Sequence, residues 1–227
     1  MKHLFMRLPF LILNAIFISL TSCSQSNLNK EYTNKPNNAD LKVGSTCEGC
    51  EAVYESPILF SKLPFVDTVP GFNEDGPKIE ISGIIYKADG KTPAPDVVLY
   101  IYHTDQDGKY SGGSNEDGWG KRHGIRRSWI KTNSDGYYKF YTLIPASYPN
   151  STIVKHIHPT VKEPGKTPYW IDDFVFANDP FLTEKEKNRK NPVGGNGVLI
   201  PEENKGILKA TRNIILGMNV KDYPAEK

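Results

Sequence analysis

The chain has 227 residues, of which 38% are hydrophobic, 24% charged and 11% aromatic, with 19 Gly, 17 Pro and 3 Cys. That composition is too apolar for a disordered chain and too poor in cysteine for a disulfide scaffold. The formal charge is +2, but without the first 22 residues, which carry Lys2 and Arg7, Lys+Arg falls from 28 to 26 and equals the 26 Asp+Glu. A neutral mature chain has no bulk positive field for nucleic acid, and no nucleic-acid partner is expected.

The N-terminus reads as a targeting segment. Residues 1–7 are short and basic, and Leu8–Leu20 is a 13-residue apolar run, long enough for a signal peptide and short for a membrane span. Leu20-Thr21-Ser22-Cys23 follows and resembles the bacterial lipoprotein signal, in which the cysteine becomes the first mature residue and carries the lipid. A plain secretory signal that happens to contain a cysteine is the alternative. A reactive thiol there would be a liability in an oxidising compartment, which favours lipidation. We therefore expect a signal peptide over 1–22, lipidation at Cys23, and an exported protein anchored to a membrane of the cell envelope. Residues 23–46, rich in Asn, Ser and Lys, read as a flexible polar tether. Cys47 and Cys50 then form Cys-Glu-Gly-Cys, compatible with a redox motif, half a zinc site or a local disulfide. No second cysteine pair completes a zinc site and no βαβ pattern surrounds the motif, so a disulfide closing the start of the domain is favoured.

Residues 47–76, with Pro57, Pro64 and Pro70, look like an irregular lead-in. From 77 to about 220 the chain reads as β. Lys78–Tyr86 alternates apolar and polar residues and ends at Ala88-Asp89-Gly90, a turn signal. Val97–His103 is β-branched and aromatic and stops at Asp105-Gln106-Asp107-Gly108. Trp129–Thr132 runs into Asn133-Ser134-Asp135-Gly136, and Tyr137–Leu143 follows as the second arm of a hairpin. Ile153–Val161, Ile171–Ala177 and Ile207–Leu216 supply further strands, and only Leu182–Asn188 looks helical. Strands at this spacing predict an all-β, antiparallel β-sandwich with little helix. The Gly-rich stretch Lys109–Arg126 predicts a long loop of the kind that carries an active site.

Four histidines lie beyond the signal segment: His103, His123, His156 and His158. His156-Ile157-His158 sits within a predicted strand, so both imidazoles project to one face, a spacing that suits a metal and also suits an exposed histidine couple. A tyrosine between prolines, Pro145-Ala146-Ser147-Tyr148-Pro149, precedes it, and Asp107-Gly108-Lys109-Tyr110 opens the long loop. In this order, with Thr132–Phe140 (TNSDGYYKF) between them, these motifs resemble the intradiol ring-cleavage dioxygenases, the catechol and protocatechuate dioxygenase family. The resemblance implies one non-haem Fe(III) held by Tyr110, Tyr148, His156 and His158, and cleavage of a catechol-type aromatic between its hydroxyls with O2. It further implies Tyr110 and His158 as in-plane ligands, His156 as an axial one, and Tyr148 as the axial ligand that substrate displaces and that takes a substrate proton. Tyrosinate is a hard anionic donor, so two of them favour a ferric over a softer ion.

Two positions depart from the family pattern. The family's arginine, three residues before the first histidine, is Ile153 here, and a glutamine some 15 residues after the pair is replaced by Asp173. Loop cations, Arg126, Arg127 or Lys121, are the candidates to supply the missing positive charge. The same departure keeps open a non-catalytic iron- or ligand-binding lipoprotein on the same scaffold. The anchor is testable: Cys23→Ser should abolish incorporation of labelled fatty acid and leave the protein unprocessed or released from membranes, whereas continued labelling of the variant would exclude Cys23 as the attachment site.

Overall fold

A computed structural model of the protein describes residues 34–112 and 116–225. The expected signal peptide and Cys23 lie outside the described residues. No helix among the described residues is long and apolar enough to cross a membrane.

The strands in chain order are β1 (Val66–Thr68), β2 (Lys78–Tyr86), β3 (Val98–Tyr102), β4 (Arg127–Lys131), β5 (Tyr137–Leu143), β6 (His156–Lys162), β7 (Tyr169–Trp170), β8 (Phe174–Phe176), β9 (Val198–Leu199), β10 (Glu202–Asn204), β11 (Ile207–Thr211) and β12 (Ile214–Ile215). Helix is confined to α1 (Gly120–His123), α2 (Glu184–Lys187) and two 3-10 turns, Cys50–Glu55 and Phe60–Lys62. One sheet runs β1-β5-β2-β11-β10 with β12 also on β2; the other runs β4-β3-β6-β8-β9 with β7 also on β6. The β-sandwich expected from the strand pattern is therefore present. Its central pairs are antiparallel, as expected, but β1–β5, β2–β11, β2–β12 and β8–β9 pair in parallel. Parallel partners are joined by long crossovers rather than tight turns, so no local turn signal announces them.

The two sheets close on one core. The alternation of β2 turns Ile79, Ile81 and Ile85 inward, where they meet Tyr138 and Phe140 of β5 and Leu99, Ile101, Ile130, Ile157 and Val161 of the other sheet. β3 reads as continuously apolar because both its faces are buried. Leu99 and Ile101 point into the sandwich, while Val98 and Tyr100 join Trp129 on the outer face under Ala52, Val53 and Leu63. Trp129 Nε1–H donates to the Val53 carbonyl at 2.9 Å. The stretch 47–76 is thus a cover for the second sheet, and its Val66–Thr68 adds a strand to the first.

The expected tether over 23–46 is corrected in its described part. Leu41 exchanges backbone hydrogen bonds with Gly165 and Thr167, Gly44 N–H donates to the Lys221 carbonyl, and Val43 is only 6% exposed. A run poor in apolar residues is held here by backbone pairing, which composition does not report. Cys47 and Cys50 form a disulfide.

His103 is buried beneath the loop that follows β3. Its Nδ1–H donates to the Thr104 carbonyl at 2.7 Å and its Nε2 accepts from the Thr142 hydroxyl at 2.6 Å. Burial pushes its pKa from the usual 6.5 down to about 4. The unfolded chain therefore binds this proton first. The stabilisation is complete above about pH 6.5 and is lost as pH falls toward 4. In chelator-treated protein, His103→Asn should lower the slope of unfolding free energy against pH in that window by about 1.4 kcal/mol per pH unit, the value for one proton. Denaturant titrations at several pH values check this, and an unchanged slope would assign the titration to other groups.

Candidate metal centre

β6 opens with the histidine pair. Ile157 is fully buried in the core, which turns His156 and His158 to the opposite, outer face. Register with β3 sets Tyr102 directly across from His158, and the two rings stack with centroids 4.6 Å apart.

The two tyrosines arrive on loops that are tied together. Asp105, three residues past the end of β3, accepts the backbone N–H groups of Asp107 (2.9 Å) and Lys109 (3.0 Å) and the Ser111 hydroxyl, winding the chain into a tight turn. Ala146 N–H donates to the Asp105 carbonyl and the Thr104 hydroxyl donates to the Ala146 carbonyl, so the turn is fastened to the Pro145–Pro149 segment. Gly108 sits at φ +73 where a Cβ would collide with the Ser147 carbonyl oxygen. Only glycine allows these backbones to approach so closely.

All four residues singled out in the sequence converge. Tyr110 Oη lies 2.6 Å from Tyr148 Oη and 2.9 Å from His158 Nε2. His156 Nε2 lies 3.0 Å from His158 Nε2 and 3.3 Å from Tyr148 Oη. Both histidine tautomers follow from their other nitrogens. His156 Nδ1–H donates to the Val154 carbonyl at 2.6 Å, and His158 Nδ1–H donates to Asp173 Oδ1 at 3.0 Å. Both Nε2 lone pairs then face each other. Each phenolic proton can satisfy one tyrosine contact, but none can sit between two neutral Nε2 atoms. A shared cation removes that repulsion. A four-coordinate ion with bonds of about 2.0–2.1 Å holds its donors roughly 3.3 Å apart, close to the spacing found. Burial, and then the hydrogen bond and charge of Tyr148, raise the Tyr110 phenol above its ordinary pKa, so only a strongly polarising ion would ionise it.

His156, His158 and Asp173 also group closely enough to suggest a two-histidine, one-carboxylate centre. The geometry argues against Asp173 as a ligand to the same ion. It occupies His158 Nδ1, whereas the inward-facing atom is Nε2 on the other side of the ring. Asp173 instead fixes the tautomer and the direction of that ring. Burial raises its carboxyl, but the hydrogen bond from His158 and the nearby Arg212 guanidinium help hold it below the ordinary value.

A cavity of about 210 Å³ opens beside the cluster. Tyr110, Tyr148 and His158 line one end, Tyr102 forms a wall, and Trp119, Arg122 and His123 with Glu48 line the other. Sequence reasoning did not single out Tyr102, Trp119, Arg122 or Glu48, none of which sits in a recognisable spacing. The loop cations expected to replace the family arginine are committed elsewhere. Arg126 pairs with Glu74, Arg127 pairs with Glu55 (2.7 Å) and Glu116 (2.8 Å), and Lys121 pairs with Asp117 on the surface. Ile153 is 52% exposed, outside β6, which begins at His156 rather than at Ile153.

Asp173→Asn should weaken metal binding by roughly 10- to 100-fold while leaving the near-ultraviolet circular dichroism unchanged, because it loosens a ligand without removing one. Competition against a chelator of known affinity measures it; wild-type affinity in the variant would exclude the positioning role.

No family model and no curated protein matches the chain. Solved structures do. A point variant of catechol 1,2-dioxygenase from Acinetobacter radioresistens superposes with a TM-score of 0.51 at 16% identity, over 77% of this chain and 65% of that one. Catechol 1,2-dioxygenase from Acinetobacter sp. ADP1, inhibited by bound mercury, gives 0.50 at 20% identity over 73% and 62%. Catechol 1,2-dioxygenase from Pseudomonas arvilla C-1 gives 0.50 at 14% identity over 70% and 59%. This chain thus spans less than two thirds of the length of each of the three. Its two-sheet architecture is the fold of the intradiol ring-cleavage dioxygenases.

Proposed function

We propose that the protein is an intradiol dioxygenase that binds Fe(III) through Tyr110, Tyr148, His156 and His158 and cleaves a catechol-type ring between its hydroxyls with O2. The observation that carries this reading is the pair of Nε2 lone pairs turned toward each other at 3.0 Å, flanked by two phenol oxygens. In the same reading the protein is exported and held to a membrane through a lipid on Cys23, supported by the Leu20–Cys23 motif behind an apolar run.

Bound there, Fe(III) would supply the Lewis acidity that draws a catechol in as its dianion and prepares it for O2. The chain supplies the rest. His158 is held by Asp173 and by the stack on Tyr102, which suits a ligand that stays in place. Tyr148 lines the cavity, lies 2.6 Å from Tyr110 Oη and stands 3.3 Å from His156 Nε2. Its Oη is the site at which a proton from the incoming catechol is held. With Ile153 exposed and Arg126 and Arg127 paired to carboxylates, none of these described residues puts a cation where the family arginine would stand, and the Arg122 that lines the cavity is itself paired with Glu48. A well-placed donor to developing negative charge is worth roughly 2–4 kcal/mol, so we expect binding to be retained better than turnover. That observation is also what favours the second reading, an iron- or ligand-binding protein on this scaffold.

Metal analysis and visible spectra of purified variants test the assignment. His158→Ala and Tyr110→Phe should each lose most bound iron and the tyrosinate-to-ferric absorption band, while Tyr148→Phe should retain more iron than either. Wild-type iron content in all three would make these residues packing rather than ligands.

A further inference from the structure

Beyond the cluster, the far end of the cavity holds a hydrogen-bond donor with no partner among the described residues. His123 is only 5% exposed and its ring lies flat on Tyr102, centroids 3.7 Å apart and planes 4° from parallel. Tyr102 in turn stacks on His158, so His123 stands one ring further along the wall that leads away from the metal ligands.

The proton on His123 can be located. Its Nδ1 lies 2.8 Å from the Tyr100 hydroxyl, which is fully buried. The Arg127 guanidinium acts electrostatically on that hydroxyl and carries no acceptor for its proton. A buried hydroxyl proton must itself be donated, and Nδ1 is the acceptor within reach. His123 Nδ1 therefore accepts, and the neutral ring carries its hydrogen on Nε2. Burial, followed by the nearby Arg127 and Arg122 guanidinium groups, keeps the ring neutral, with its pKa lowered to about 4.

Nε2 points toward the turn closed by the Cys47–Cys50 disulfide: a Cβ placed on Gly49, at φ +87, would stand 2.8 Å from it. Glu48 of the same turn lines the cavity, and its Oε1 takes the Arg122 guanidinium at 2.6 Å, with both side chains largely exposed. The far end thus offers one neutral N–H donor and a carboxylate with accepting capacity to spare. A hydroxyl group, which both accepts and donates, matches that pair. A carboxylate does not, because it meets Glu48 as a like charge.

We propose that His123 Nε2–H and Glu48 recognise a third hydroxyl on the ring of a catechol-type substrate, remote from the two that bind metal, and that Glu48 disfavours carboxylated rings. The inference rests on the dioxygenase reading above and names the substrate class for that site.

Calorimetric titration of the Fe(III)-loaded protein under nitrogen tests it through dissociation constants rather than turnover. The probes are catechol, 1,2,4-trihydroxybenzene and 3,4-dihydroxybenzoate. One added neutral hydrogen bond should make trihydroxybenzene bind about five- to tenfold tighter than catechol, and dihydroxybenzoate should bind more weakly than catechol. His123→Phe should bring the trihydroxybenzene and catechol constants of that variant together, erasing the preference, and His123→Gln should restore part of it. Glu48→Ala, an exposed position that does not threaten the fold, should reduce the same preference and strengthen dihydroxybenzoate binding by freeing Arg122. Equal affinity for catechol and trihydroxybenzene in the wild type, or a preference that survives both His123→Phe and Glu48→Ala, overturns the inference while leaving the dioxygenase reading intact. Catechol binding that is absent, or indifferent to iron, overturns both.

Discussion

The antiparallel register of β3 with β6 is the constraint on which the site depends. It sets Tyr102 opposite His158, and by burying Ile157 it obliges both histidines to face outward together. The chain leaving β3 then reaches Asp105, whose carboxylate gathers the backbone into the turn that delivers Tyr110. One residue of slip in that pairing would send the histidines into the core and Ile157 to the surface. The cost of burying two imidazoles beside aliphatic side chains makes that slip unavailable.

The cluster brings four donor atoms together without a positively charged side chain among them. Two neutral imidazoles and two phenols converge within 3.3 Å of their neighbours, their outer atoms already committed to Val154, to Asp173 and to each other. The guanidinium groups that the nearby sequence offers are instead neutralised by Glu74, Glu55 and Glu116. These pairs are partly buried, so removing one partner would strand the other, and they hold the loop rather than serve a substrate.

The outer face of the second sheet needs a cover because Val98, Tyr100 and Trp129 point outward from it. The 3-10 turn at Cys50–Glu55 provides that cover, and the disulfide immediately before it draws Glu48 and Gly49 over His123. The segment that completes the hydrophobic core of this face therefore also roofs the cavity. Packing of this face and the lining of the cavity are set by the same segment.

The central strands were legible in the sequence because they are recorded in local order, and the four candidate ligands were legible through the order of motifs that carries the family resemblance. Alternation in Lys78–Tyr86, the Asn133–Gly136 turn, and the spacing of His156 and His158 are properties of neighbouring residues, and each is read through the geometry of a single strand or turn. The parallel edge pairings, the packing of residues 34–46, the engagement of Arg126 and Arg127 with distant carboxylates, and the roles of Asp173 and His123 were decided only by tertiary structure. Each joins groups separated by many residues, through contacts whose energy depends on distance and burial rather than on residue type. Asp173 shows the difference: its identity was legible as a departure from a pattern, but that it orients His158 is a fact about 3.0 Å of space between two strands.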